Sequence, residues 1–245
     1  MIEAPAILLL AWLAGRRNGG ASPPKRNGNG NRGGIAPAGE VYDEGVFPRA
    51  VPKGGEVPIK QTGGADIRAW RKTRFDACID FLMNDDRALN AITTLFDHHV
   101  IERGDIEMDS VALSVVTHWD IETASGSHEF NFNLGGIGAV PGEQHFISTD
   151  VGDPTKRVAF CAYDSLQEGI ADYFGVLSYE RYVSALAPLL MLPVDPSWFS
   201  ELGWDGWYQL KDAGHPNALD AVEAEQAWAA RRVLVATDAG VAANL

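Results

Sequence analysis

The sequence is poor in cysteine and in basic residues. It holds two cysteines in 245 residues, which excludes a disulfide scaffold and a cysteine-rich zinc module. Its 20 lysines and arginines face 33 acidic residues, giving a formal net charge of −13. Nucleic-acid-binding proteins need a basic surface, so this balance argues against that class. The apolar run at residues 4–14 is about half the roughly 20 residues of a membrane-spanning helix.

What is present divides the chain in two. Hydrophobic residues make up 46%, enough for a core. Residues 1–65 hold 13 of the 26 glycines and 7 of the 13 prolines and carry a net charge of +3 (8 basic, 5 acidic), whereas residues 66–245 carry −16 (12 basic, 28 acidic). We therefore expect a short apolar segment (1–17), a Gly/Pro-rich linker or arm (18–65), a folded domain (66–192), and a Trp-rich loop with a C-terminal helix packed on that domain (193–245).

Three interpretations of the apolar N-terminal segment stay open. It is a signal peptide, a peripheral or partner-bound helix, or a buried segment. Glu3 is the only charge before the apolar run, and Arg16 and Arg17 follow it, which is unlike the basic start of a secretory signal. The low-complexity chain after it is typical of a linker, disordered in solution, or of an arm that lies along a partner.

Periodicity predicts an α+β domain, mainly α, with segregated strands. Helices are predicted at Asp66–Met83, from a cap at Asp85 to Gly104, and from a cap at Asp109 to about Thr123. A β-ribbon follows at His145–Ser148 and Arg157–Tyr163. The remaining predictions are a helix after the Ser165/Glu168 capping box, a short helix at Glu180–Met191, a loop carrying Trp198, Trp204 and Trp207, and a last helix at about Asn217–Val235.

The third predicted helix carries the clearest chemistry. Val111, Val115, His118 and Glu122 fall on one stripe, so Glu122 continues an apolar face and ends it beside a loop. Burial disfavours the charged form of a carboxyl and raises its pKa. A carboxyl that keeps its proton near neutral pH is what a general acid needs, and a buried ion pair is the alternative.

The residues after Glu122 carry a family resemblance. The stretch ETASGS at 122–127 is followed by NFNLGGI at 131–137. Together they resemble the glucosaminidase family of peptidoglycan hydrolases, with its E-[ST]-G-W-G-x-S, a short gap, and [YF]-N-L-F-G-I-K. Downstream, FCAYDS at 160–165, EGIADYF at 168–174 and RY at 181–182 are similar to the family's F-x-x-Y-x-S, E-[GS]-I-x-D-Y and R-Y. The resemblance covers about residues 85–190.

The resemblance implies a lysozyme-like fold with a small β-ribbon beside the cleft. It implies cleavage of β-1,4 bonds between N-acetylglucosamine and N-acetylmuramic acid in peptidoglycan, without a cofactor. The family's acid maps to Glu122, and its second carboxylate maps to Asp150, with Glu143 and Asp153 as alternatives. Candidate substrate-binding residues are Asn131, Asn133 and Tyr173, and turn chemistry is the alternative for the two asparagines.

Departures from the family pattern keep other functions open. Ser125 stands at the family's Trp, Gly135 at its Phe and Gly138 at its Lys, and the lost aromatics would normally line a cleft or stack on sugars. A lytic transglycosylase is one alternative. Another is a structural subunit of a phage virion or cell-envelope assembly with a vestigial site, attached to the larger assembly through the N-terminal arm. Either places the protein outside the cytoplasm or in a virion.

Other reactive residues favour no competing chemistry. His118 and Glu122 with His128 or His145 would suit a metal, but H-E-x-x-H is absent, and we expect none. We predict that Cys78 and Cys161 are small residues of the hydrophobic core. The chain has no G-x-S-x-G motif, and the GGIG at 135–138 lacks a following Lys-Ser/Thr. The Trp-rich loop is either a sugar platform or simple packing.

Overall fold

A computed structural model describes residues 49–97, 107–149, 155–179, 182–190, 193–208, 210 and 218–242. Its elements are α1 (Ile67–Asn84), α2 (Asp86–Asp97), α3 (Met108–Glu122), β1 (His145–Thr149), β2 (Arg157–Cys161), α4 (Leu166–Leu177), α5 (Val183–Leu189), α6 (Ser197–Trp204) and α7 (Ala221–Ala239). This order confirms the predicted α+β class, mainly helical, with the strands segregated. The predicted 1–17 segment, Asp150 and Asp153 lie outside the described residues.

Helix α3 is the centre of the domain. Every residue from Ser110 to Glu122 is buried, and α3 packs against both α1 and α7. The prediction of a single buried stripe is therefore too narrow, because neighbours cover the helix on more than one side. The hydroxyls of Ser114 and Thr117 donate to the carbonyls of Ser110 and Leu113 within the helix. The buried carboxylate of Asp120 takes its partner from another element, Arg71 of α1.

The start of α3 and both ends of the last helix differ from prediction. Glu107, not Asp109, is the N-cap residue of α3 and makes no side-chain capping bond, while Asp109 lies in the first turn. The last helix begins at Ala221 because Asp220 and Glu223 form a capping box, and it continues past Val235 to Ala239. Gly240 then ends it with φ +78°. The predicted capping box at Ser165 is confirmed, and so is the cap at Asp85, whose carboxylate accepts from the Arg87 amide at the start of α2.

The predicted β-ribbon is confirmed. Strands β1 and β2 are antiparallel, with Phe146 opposite Phe160. These two rings and Ala162 form a small apolar cluster apart from the main core. A stretch of the arm runs beside β1, where the Val57 amide donates to the His145 carbonyl. The arm thereby covers an edge that would otherwise expose unpaired backbone groups.

The change in composition near residue 65 is not a structural boundary. Arg49 forms an ion pair with the buried carboxylate of Asp172, which also accepts from the Ala50 amide (3.0 Å) and the Tyr163 hydroxyl (2.6 Å). Burial alone would lower the pKa of Arg49, but the charge and hydrogen bond of Asp172 raise it overall. Residues 49–64 therefore belong to the packed domain, because a buried carboxylate of α4 depends on them.

The predicted Trp-rich loop is partly helical. Ser197–Trp204 form α6, which packs on α5 and α7. Trp198 is fully buried, whereas Trp204 and Trp207 keep some exposed surface. Trp198 therefore serves packing. None of the helices in the described ranges has the length and apolarity needed to cross a membrane.

Candidate active site

Glu122 is the last residue of α3, and its side chain has no exposed surface. Its Oε1 lies 3.3 Å from Nε2 of His118, one helical turn earlier and equally buried. The expected stripe neighbours thus meet. Aromatic residues of α4, α6 and the following loop surround His118 at this end of α3.

Four aromatic rings surround the imidazole of His118. The ring centroids of Tyr173, Trp198, Phe199 and Trp207 lie 5.7, 5.9, 5.7 and 5.4 Å from its own. Its Nδ1 shares a hydrogen bond with the Tyr173 hydroxyl. One ring nitrogen therefore faces a phenol and the other faces Glu122, which fixes the orientation of the imidazole.

Two buried phenols lie near Glu122. Burial raises the pKa of Tyr173 well above its ordinary value, and the charge of Glu122 raises it further. The pKa of Tyr208 is also raised, by burial first and then by Glu122 and Glu225. Both phenols therefore keep their protons at ordinary pH. Tyr173 can donate to His118 or accept from it, depending on which nitrogen of the imidazole carries the proton.

The candidate substrate-binding residues make internal bonds. The Asn131 amide donates to the Pro58 carbonyl (3.1 Å) and accepts from the Lys60 amide (2.9 Å), which ties the arm down. Asn133 donates to the carbonyls of Ile137 and Cys161 and accepts from the Ile137 amide. Tyr173 is fully buried against His118. Asn133 thus has the turn chemistry of the alternative interpretation through its bonds to Ile137, whereas the side chain of Asn131 bonds to the arm about 70 residues earlier.

Of the three candidates for a second carboxylate, Glu143 alone is described. It accepts from the Val140 amide (2.8 Å) and lies 3.4 Å from Nη2 of Arg49. These contacts tie it to the arm and to the turn before β1. Asp150 and Asp153 lie outside the described residues.

Sequence reasoning missed three buried carboxylates that pair with arginine. Asp120 accepts from Arg71, and Asp172 from Arg49. Glu129 accepts from Nε1 of Trp70 (2.7 Å) and from Arg74 (3.1 Å). For Asp120 and Glu129, the signal in the sequence was the set of arginines on α1, a helix with a buried face. Their acidic partners are distant in sequence, so the pattern of α1 could not name them.

The loop after α3 has an unusual backbone. Ala124, Ser125 and Gly126 have φ of +48°, +58° and +85°, and Gly136 has φ of +63°. Left-handed backbone suits glycine and is costly for other residues. A Cβ on Gly126 would lie 2.6 Å from the Trp70 ring, so the loop also packs too closely there for any side chain.

Open space near this loop lies away from Glu122. A groove of about 330 Å³ runs between the arm and the ribbon and is lined by Pro58, Lys60, Asn131, Phe132, Gln144 and Asp164, among others. Glu122 does not line it.

No family model, curated protein or solved structure matches this chain.

Metal and thiol chemistry gain no support from the part of the chain that the structure describes. It contains no group of three or more His, Cys, Asp or Glu side chains that could hold a metal ion. Cys78 and Cys161 are free and buried, and burial raises the pKa of each thiol. Their prediction as small core residues is confirmed, because a buried thiol that keeps its proton is inert.

Proposed function

We propose that this domain is a peptidoglycan-directed glycoside hydrolase of the lysozyme-like, glucosaminidase type, with Glu122 as its general acid. The observation that carries the proposal is the pairing of Glu122 with His118 at the end of the central helix, 3.3 Å apart and shielded from water. The substrate would be the β-1,4-linked glycan of the bacterial wall, met outside the cytoplasm or from a virion.

The backbone after Glu122 supports the resemblance on which this substrate class rests. The family pattern has glycine at the positions of Ala124, Gly126 and Gly136. All three have positive φ here, as a glycine pattern would require. Ala124 keeps this left-handed conformation although it carries a Cβ. Positive φ also occurs at Ser125, which stands at the family's Trp, and at Asn131 and Phe132, so the agreement with the glycine pattern is partial.

The Tyr173–His118–Glu122 arrangement is suited to holding a proton. When Nδ1 of His118 carries the imidazole proton and donates to Tyr173, Nε2 is free of hydrogen and faces a protonated Glu122 carboxyl. That is the form a general acid needs to protonate the leaving glycosidic oxygen. When Tyr173 donates to Nδ1 instead, Nε2 carries the proton and faces an ionised Glu122. The two tautomers of the imidazole thus suit a protonated and an ionised Glu122, respectively.

The proposal is tested by Glu122→Gln, which keeps the size of the side chain and removes only the acid. Release of reducing ends from purified cell walls should fall to a few per cent of wild type or less, with an unchanged circular dichroism spectrum. Asp109→Asn is the matched control, because Asp109 is exposed in the first turn of the same helix. Retention of most activity in Glu122→Gln would contradict the assignment. Anhydro-sugar ends in the products would identify a lytic transglycosylase.

A structural subunit of a virion or cell-envelope assembly, with a vestigial site, is the second candidate. The complete burial of Glu122 and the internal bonds of Asn133 favour it. The two candidates differ in one measurement, because a scaffold would release no reducing ends from cell walls.

A further inference from the structure

Trp207 is the half-exposed member of the four rings that surround His118. Tyr173, Trp198 and Phe199 are buried, and Trp207 keeps part of its surface in solvent. Its ring centroid lies 5.4 Å from that of His118. Among these four rings, Trp207 alone touches both the solvent and His118. Removing this one side chain would therefore expose the His118–Glu122 pair.

The indole of Trp207 occupies a defined socket. Its centroid lies 5.3 Å from Tyr173 and 5.0 Å from Tyr182, and its Nε1 donates to the Gly135 carbonyl (3.2 Å). A Cβ on Gly135 would lie 2.9 Å from the indole and 3.0 Å from Tyr173. The absence of a side chain at residue 135 is therefore what makes room for the ring.

We propose that Trp207 closes a latent sugar-binding pocket beside Glu122, and that its indole must leave before a glycan reaches the carboxyl. The inference rests on the proposed hydrolase function. The socket has two aromatic rings, Tyr173 and Tyr182, tilted by 56° and 59° to the indole, and one acceptor, the Gly135 carbonyl. Aromatic faces pack against the apolar face of a pyranose, and a carbonyl accepts from its hydroxyl or acetamido N–H. The ligand class is therefore an N-acetylhexosamine ring, which the indole replaces in the closed form.

Two variants displace the indole by different routes. Trp207→Gly removes the ring, and Gly135→Ala pushes it out from the opposite side of the socket. Trp204→Ala is the matched control, because Trp204 is also half-buried but makes no ring contact with His118 among the described residues. Each protein is first tested for cooperative thermal unfolding. If Trp207→Gly does not fold, Gly135→Ala decides.

Two readouts separate closure from catalysis. Modification of His118 by diethyl pyrocarbonate, followed by mass spectrometry, reports access to the buried pair. Release of reducing ends from purified peptidoglycan reports hydrolysis. His118 should resist modification in wild type and in Trp204→Ala, and should react at least tenfold faster in the two displacement variants. Hydrolysis should rise by a similar factor.

The outcomes distinguish the two proposals. Protection of His118 in a folded Trp207→Gly and a folded Gly135→Ala would overturn the closure. Wild-type hydrolysis as fast as that of Trp207→Gly would also overturn it, while leaving the hydrolase function intact. A reactive His118 without any hydrolysis would leave the closure standing and reject the hydrolase function.

Discussion

Asp120 and Glu122 are buried carboxylates two residues apart at the end of α3, and they have different kinds of partner. Asp120 accepts two hydrogen bonds from Arg71 (2.9 and 3.1 Å) and lies 3.3 Å from Arg231. Glu122, on another side of the helix, faces His118 at 3.3 Å. Both side chains have no exposed surface. Burial alone therefore does not separate a structural carboxylate from a reactive one.

The partner determines what each carboxylate can do. Arginine keeps its charge at any ordinary pH, so it holds Asp120 as an anion in a fixed ion pair. Burial alone would lower the pKa of Arg71, but the hydrogen bonds and charges of Asp120 and Asp238 raise it overall. Histidine changes charge near neutral pH and both gives and takes a proton. We therefore propose that Asp120 serves stability and Glu122 serves chemistry, and substitutions at both residues test that division.

The largest expected effect is on stability, at Asp120. Asp120→Asn leaves Arg71 and Arg231 without their buried anion and should lower the free energy of unfolding by about 3–5 kcal/mol, the usual cost of breaking a buried ion pair. Urea denaturation followed by circular dichroism measures this loss. A change below about 1 kcal/mol would show that the arginines find other partners and that this ion pair does not stabilise the fold.

A slightly smaller loss is expected at the arm. Arg49→Met removes the partner of buried Asp172 and should cost about 3 kcal/mol, because Arg49 itself is partly exposed. Arg68→Met is the matched control, since the side chain of Arg68 is 86% exposed and its ion pair with Asp238 is long, at 3.6 Å. Equal urea midpoints for the two variants would contradict the assignment of residues 49–64 to the packed domain.

The arm shows where sequence reasoning reached its limit. Glycine and proline content marked residues 18–65 as separate, but composition says nothing about one arginine that enters a buried site more than a hundred residues away. Short-range patterns were more informative, because the predicted caps at Asp85 and Ser165 and the two ribbon strands are confirmed. The candidate site was found in part. The stripe joined His118 to Glu122, while the cover by Trp207 depends on a contact between distant segments.

A moderate effect is expected at the residue that orients His118. Tyr173→Phe keeps the ring packing and removes the hydroxyl that bonds to Nδ1, so it should cost about 1 kcal/mol of stability. It should also lower the rate of wall hydrolysis, because the imidazole loses the group that fixes its proton arrangement. If the rate of wall hydrolysis is unchanged while stability falls as expected, Tyr173 contributes to stability and not to the reaction.

The smallest stability change is expected at Glu122. In Glu122→Gln the amide can accept from Nε2–H of His118 or donate to an Nε2 without hydrogen, so the free energy of unfolding should change by less than about 1 kcal/mol. This near-neutral result would contrast directly with Asp120→Asn at the same helix end. A loss as large as that of Asp120→Asn would mean that Glu122 is also a structural ion-pair member.

The most direct test is the hydrolysis rate per folded molecule of Glu122→Gln and Asp120→Asn, both made in the Trp207→Gly background. The account predicts that Glu122→Gln releases a few per cent or less of the reducing ends of its parent, while the folded fraction of Asp120→Asn hydrolyses cell walls at a rate close to the parent's. Comparable hydrolysis by Glu122→Gln and its parent would contradict the assignment of Glu122 as the acid.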